Sequence, residues 1–121
     1  AFGNVCKMAK LVAEGVSLYG NKNYKEASDL FGTAAKLDPS SYIPPYYLGL
    51  IAYANGDYTL AEYNYKSALA LGCDPAATNY ALGVNALAQD RLDDARAYLG
   101  KAKESSPAAY GAKVDELLKR F

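Results

Sequence analysis

Residues 47–68 read YLGLIAYANGDYTLAEYNYKSA. An apolar run carries one small residue, Gly49, and stops at Asn55-Gly56. Asp57 then stands where a helix cap is needed, and Ala61 and Ala68 flank the bulky Tyr65. Gly15, Ala27, Phe31 and Ala34 stand 34 residues earlier in the same roles, and Gly83, Ala95, Leu99 and Ala102 stand 34 residues later. A hairpin of helices that cannot bury its own apolar face gains a core by stacking on copies of itself. Self-similarity at this period therefore predicts an all-α chain, a right-handed α-solenoid.

Turn signals divide the chain into seven helical segments. The first runs from about Asn4 to Tyr19 and stops at Gly20-Asn21. The second opens at Asn23, whose side chain can cap while Glu26 reaches back, and ends at Leu37-Asp38-Pro39. The third begins near Pro44-Pro45, where a fixed φ suits a first turn, and the fourth lies between Asp57 and Gly72. Asp74-Pro75 opens the fifth, Asp90 caps the sixth, and Ser106-Pro107 opens a last helix through Phe121. Every connection is short, so neighbouring helices must form antiparallel hairpins.

These columns resemble the tetratricopeptide repeat: a small residue in the first helix, alanines early and late in the second, a bulky residue between them, and Asp-Pro or Ser-Pro at the hand-over. The resemblance implies one domain over residues 1–121. Its three repeats lie at about 8–41, 42–75 and 76–109, followed by a capping helix at about 108–120. Small side chains let helix backbones approach closely, and Phe31, Tyr65 and Leu99 fill the wedge between hairpins. Overpacking this contact with Ala61→Leu or Gly49→Leu is expected to cost about 1–3 kcal/mol.

Several positions depart from the pattern. Leu71-Gly72-Cys73-Asp74-Pro75 replaces the shorter Leu37-Asp38-Pro39, so two residues are added. This predicts a displaced or bulged loop, with the fifth helix approaching Gly83 from a later start. Glu14 occupies the place of Leu48 and Leu82; it marks either a solvent-open first repeat or a ligand-facing acid. Gly32 and Gly100 each weaken a helix interior by roughly 0.8–1 kcal/mol relative to Ala, with close helix approach as the only reason in view. The last helix carries Tyr110, Val114, Leu117, Leu118 and Phe121 as one apolar stripe opposite its charges. That stripe reads as the cap such arrays need, with an amphipathic membrane helix as the alternative.

Composition and motifs exclude most chemistry. The chain has no histidine, so it lacks a Ser-His or Cys-His pair, an imidazole base and a His-containing zinc or iron site. Gly20-Asn21-Lys22-Asn23 and Asn55-Gly56-Asp57 lack phosphate-loop spacing. Asp93-Asp94 and Asp115-Glu116 read as a favourable helix start and a solvated face. We therefore expect no enzyme, no catalytic residues, no metal and no cofactor. Cys6 and Cys73 form no CxxC pair and fall about two repeats apart, so free thiols are expected rather than a disulfide.

At 121 residues the chain can bury roughly 65% of its unfolded surface, enough for an unstapled core. Thirteen basic and thirteen acidic residues cancel, which gives no field favouring nucleic acid. No apolar run reaches the roughly 20 residues of a membrane span, so direct membrane insertion is not expected. The chain opens at Ala1 without an initiator Met. It reads either as a cytoplasmic protein or as the soluble, for example periplasmic, part of a longer exported or anchored one.

Function must then lie in surface. The family resemblance implies a concave groove lined by the first helix of each repeat. In register, these helices aim Val12, Val16 and Tyr19, then Ile43, Tyr46, Tyr47, Leu50 and Tyr53, then Tyr80, Val84 and Leu87 toward it. Twelve tyrosines without a tryptophan make an apolar lining with hydroxyls able to bond a peptide backbone; packing between repeats is the competing role for several of them. Chaperone-binding members of the family hold a carboxylate terminus with Lys, Arg and Asn. The matching positions here are Val12, Val16, Tyr47, Ala77 and Ala81, which cannot supply that clamp. The expected function is a protein-interaction module or scaffold whose partner is an apolar or aromatic protein segment, peptide or helix. The alternative is a self-assembly unit, a homo-oligomer whose groove is filled by another copy or a flanking segment.

Overall fold

The computed structural model describes residues 2–121, with side chains from Lys7 onward. It comprises α1 (Phe2–Gly20), α2 (Tyr24–Leu37), α3 (Ile43–Ala54), α4 (Tyr58–Ala70), α5 (Pro75–Ala88), α6 (Leu92–Ser105) and α7 (Pro107–Leu118), with no strand among the described residues. Proline sits in the first turn of α3, α5 and α7, where the missing N–H is one of the four a helix cannot use.

Each hairpin closes on a glycine. A Cβ added at Gly15 would lie 2.8 Å from Cζ of Phe31, at Gly49 2.6 Å from Cδ1 of Tyr65, and at Gly83 2.6 Å from Cγ of Leu99. The small and bulky columns are thus two halves of one contact. The bulky side chain packs directly on the glycine of its own hairpin, closer than a Cβ could come without something shifting. Successive hairpins then join through α2 with α3, α4 with α5 and α6 with α7, while α1 also touches α3 and α5 touches α7. Three clusters follow the stack: Ala27, Phe31 and Ile51; Ala52, Ala61, Tyr65 and Leu82; Leu99, Ala102 and Val114.

Caps correct part of the sequence reading. Asp57 and Asp74 do cap, accepting from the backbone N–H of Leu60 and Ala77 at 3.2 Å each. Asn23 makes no side-chain cap, and the cap position of α6 is Arg91, not Asp90. The turns explain both. Lys22, Gly56 and Asp90 adopt φ of 64°, 80° and 57°. The next residue's N–H in each case reaches back to the preceding helix: Asn23 to Leu18 O at 2.8 Å, Asp57 to Ala52 O at 2.9 Å, Arg91 to Ala86 O at 3.0 Å. This is the left-handed helix stop, so Asp90 ends α5 rather than starting α6.

The added residues before α5 are absorbed differently from the expectation. Gly72, at φ 100°, closes α4 as Cys73 N–H bonds Ala68 O at 3.0 Å. Helix α5 then begins at once on Pro75, whereas α3 begins four residues after Pro39. An early start, not a late one, restores Gly83 to phase.

Glu14 is exposed, while Leu48 is half-buried and Leu82 is 1% exposed. Leu48 packs on the cluster of Ala27 and Phe31, and Leu82 on that of Ala52, Ala61 and Tyr65, so the column faces the preceding hairpin. A Cβ at Gly32 or Gly100 would meet nothing within 4 Å; close approach does not explain these glycines. Phe121 lies past the end of α7 and is 48% exposed, so it leaves the stripe that Val114, Leu117 and Leu118 bury. Cys73 is a free, buried thiol; the side chain of Cys6 lies outside the described residues. Among those residues no helix is long and apolar enough to cross a membrane.

Candidate functional site

Because odd-numbered helices lie side by side, their tyrosines converge on one surface. A pocket of about 230 Å³ is formed by Tyr46, Leu50 and Tyr53 of α3 with Tyr80 and Val84 of α5; Tyr65, Ala77, Ala81 and Tyr110 complete its lining. Beside it a pocket of about 390 Å³ lies between Val12 and Val16 of α1 and Tyr42, Ile43, Tyr46 and Tyr47, with Cys73, Asp74 and Ala77 on its far side. Tyr46 and Ala77 belong to both. Ligand-sized pockets run to roughly 300–1,000 Å³. One below and one just above the lower end of that range, these two have the size of individual large side chains.

Nine of the eleven expected groove residues line these pockets: Val12, Val16, Ile43, Tyr46, Tyr47, Leu50, Tyr53, Tyr80 and Val84. Tyr19 and Leu87 do not. Tyr19 packs against Tyr24 and Tyr47, with ring centroids 5.8 and 5.6 Å away, and Leu87 packs on the Leu99–Val114 cluster. The residues that sequence reasoning did not aim at these pockets include Tyr42, Tyr65, Cys73, Asp74 and Tyr110. Tyr110 belonged to the stripe of the capping helix, but α7 takes the place of a further odd-numbered helix beside α5. Its ring meets Tyr80 at 5.2 Å. The period itself held the signal, since α7 follows α6 as α5 follows α4.

Aromatic packing fixes the floor of the site. Tyr47 stacks on Phe31 at 5.0 Å and 9° and meets Tyr46 edge-on at 5.9 Å; Tyr46 in turn lies 6.1 Å from Tyr65. Such ring pairs hold rotamers beyond simple burial. Burial pushes the phenols of Tyr19, Tyr46, Tyr65 and Tyr110 above their ordinary range, with Asp74 adding to the effect at Tyr110. All four are therefore neutral at physiological pH. The hydroxyls of Tyr46, Tyr53, Tyr80 and Tyr110 hydrogen-bond to nothing within the described residues.

Away from these pockets some charges pair. Glu62 bonds Arg91 at 2.9 Å and Lys66 at 3.1 Å, and Lys103 bonds Asp115 at 2.8 Å. These are exposed pairs of small net worth. No group of three or more His, Cys, Asp or Glu able to hold a metal occurs among the described residues.

The molecule is a helical-hairpin repeat protein with two tyrosine-lined pockets between its odd-numbered helices. The model of the tetratricopeptide repeat matches residues 12–78, over half of the chain, and the chain belongs to that family. No curated protein matches it by sequence. Among solved structures, the Yersinia enterocolitica type III secretion chaperone SycD in complex with a peptide of the translocator YopD superposes with a TM-score of 0.88. That match has 19% identity and covers 94% of this chain and 91% of that one. The Arabidopsis OM64 TPR domain gives 0.87 at 15% identity, covering 97% and 98%. The first TPR of Spaghetti (RPAP3), bound to the HSP90 peptide SRMEEVD, gives 0.81 at 20%, covering 93% and 94%. At these identities the likeness is one of fold.

Proposed function

We propose that this chain is a non-enzymatic protein-interaction module, one domain of three repeats and a cap, that takes an apolar or aromatic peptide or helix into its concave groove. The observation that carries the reading is the convergence of Tyr46, Leu50, Tyr53, Tyr80 and Val84 with Tyr110 on one side-chain-sized pocket. Family neighbours with peptides bound, a YopD segment on SycD and an HSP90 peptide on Spaghetti, support a peptide as the occupant.

The occupant is not a carboxylate terminus. Val12, Val16, Tyr47, Ala77 and Ala81 line the two pockets, and among the described residues the only charged one lining either is Asp74. An acidic terminus would lose its hydration beside an acid with no cation to meet it.

Panning a library of apolar and aromatic peptides against the chain, followed by titration of the best binders, tests the reading. Tyr46→Ala and Tyr80→Ala should each weaken binding about tenfold or more with helicity intact, while Lys66→Glu and Arg96→Glu on the convex side change little. A peptide ending in SRMEEVD should not bind. Sedimentation over a concentration series separates the alternative: a dimer lost in Tyr46→Ala would assign the groove to self-assembly.

A further inference from the structure

Of the three helices that supply the predicted groove residues, α3 and α5 carry no charged residue at all. Among the described residues, the one charge lining either pocket is Asp74, at the entrance to α5, exposed and sharing the larger pocket with Tyr46 and Ala77. Its Oδ2 accepts from Ala77 N–H at 3.2 Å, and neither oxygen has a lysine or arginine partner among the described residues. Three acids elsewhere are paired, Glu62 with Arg91 and Lys66, Asp94 with Arg91, and Asp115 with Lys103, but none of these lines either pocket.

Three further observations bear on what faces Asp74. Its charge is felt at Tyr110, whose phenol it helps to raise, second to burial. Since Tyr110 lines the smaller pocket and Asp74 the larger, the carboxylate stands near the junction of the two. In the larger pocket it shares the wall with the rings of Tyr42, Tyr46 and Tyr47, whose faces attract a cation. An apolar partner laid across both pockets would strip water from the carboxylate, which is unfavourable unless an opposite charge arrives with it.

We infer that the segment recognised by this groove carries a lysine or arginine between two apolar anchors, the anchors filling the two pockets and the cation set against Asp74. The inference rests on the groove reading above and names the partner's chemistry. Neutral segments lose the ion pair, and acidic ones meet a like charge, so Asp74 selects among apolar partners rather than supplying most of the affinity.

The probes are short acetylated and amidated peptides with two phenylalanine anchors and one variable position between them, occupied by lysine, norleucine or glutamate, followed by fluorescence anisotropy. Lysine should bind about fivefold tighter than norleucine, glutamate should bind weakest, and the lysine advantage should shrink in high salt. Asp74→Asn, which keeps a capping oxygen, should flatten this ranking while the circular dichroism spectrum stays unchanged. Equal binding of the three peptides to the native protein overturns the inference. So does a ranking that survives Asp74→Asn, and so does the absence of binding by all three. If the ranking is absent yet Tyr46→Ala still weakens every peptide, only the charge inference falls. If Tyr46→Ala and Tyr80→Ala leave binding intact, the groove reading itself falls. A dimer that the lysine peptide cannot dissociate would make a second copy the occupant and also overturn the inference.

Discussion

The first and third hairpins use the same contact to different ends. In α1–α2, Gly15 lies under Phe31, and in α5–α6, Gly83 lies under Leu99. Outside that contact they diverge. Helix α5 buries Ala76, Thr78, Asn79, Leu82, Asn85 and Ala86, being packed against α4, α6 and α7. The matching face of α1 presents Glu14 to solvent. Identical columns thus specify how a hairpin closes upon itself, while its neighbours decide which of its remaining faces become core.

The largest effect expected from this contrast is at the column of Glu14 and Leu82. Leu82→Ala should cost about 3 kcal/mol as a core truncation, whereas Glu14→Ala should stay within about 0.5 kcal/mol. Urea denaturation midpoints of the two variants measure this directly, and a comparable loss at both positions would break the comparison.

A smaller difference separates the two glycines. A methyl at Gly83 meets Cγ and Cδ2 of Leu99 at 2.6 Å and the Leu99 backbone nitrogen at 3.3 Å, none of which can swing away freely. At Gly15 it meets only the far end of the Phe31 ring, from 2.8 Å. Overpacking should outweigh the helix-propensity gain in Gly83→Ala, for a net cost of about 1–2 kcal/mol, and roughly cancel it in Gly15→Ala. Thermal unfolding of the pair would sharpen the comparison.

The smallest effect has the opposite sign. Gly32 and Gly100 occupy matching places in α2 and α6 with open space above both. Alanine at either should stabilise by up to about 0.8–1 kcal/mol, equally in the two hairpins. Unequal gains would show that the outer faces of α2 and α6 differ in more than position.

How much of this was legible beforehand follows from which interactions are local. Helix ends marked by Gly56, Asp57 and Pro75 lie where the sequence puts them, because turn and cap chemistry acts within a few residues. Asn23 and Asp90 misled, since each side chain suits a cap but the left-handed stops at Lys22 and Asp90 decide the register of the turn. In the site, Tyr46 and Tyr80 were readable as neighbours on adjacent odd-numbered helices. Tyr19 was not readable as packing: its ring is held by Tyr24 and Tyr47 across two other helices.

By itself the sequence determined the all-helical repeat, its period and the glycine-on-bulky contact, because each is encoded in a column that recurs along the chain. Only the tertiary structure decided that Tyr19 would pack against Tyr24 and Tyr47 rather than line a pocket, that Asp74 would stand exposed at the larger pocket, and that Glu14 would face water. Those outcomes depend on which helix surfaces meet after stacking. A side chain's neighbours across a helix interface are set by the packing of whole hairpins, not by the few residues on either side of it in the chain.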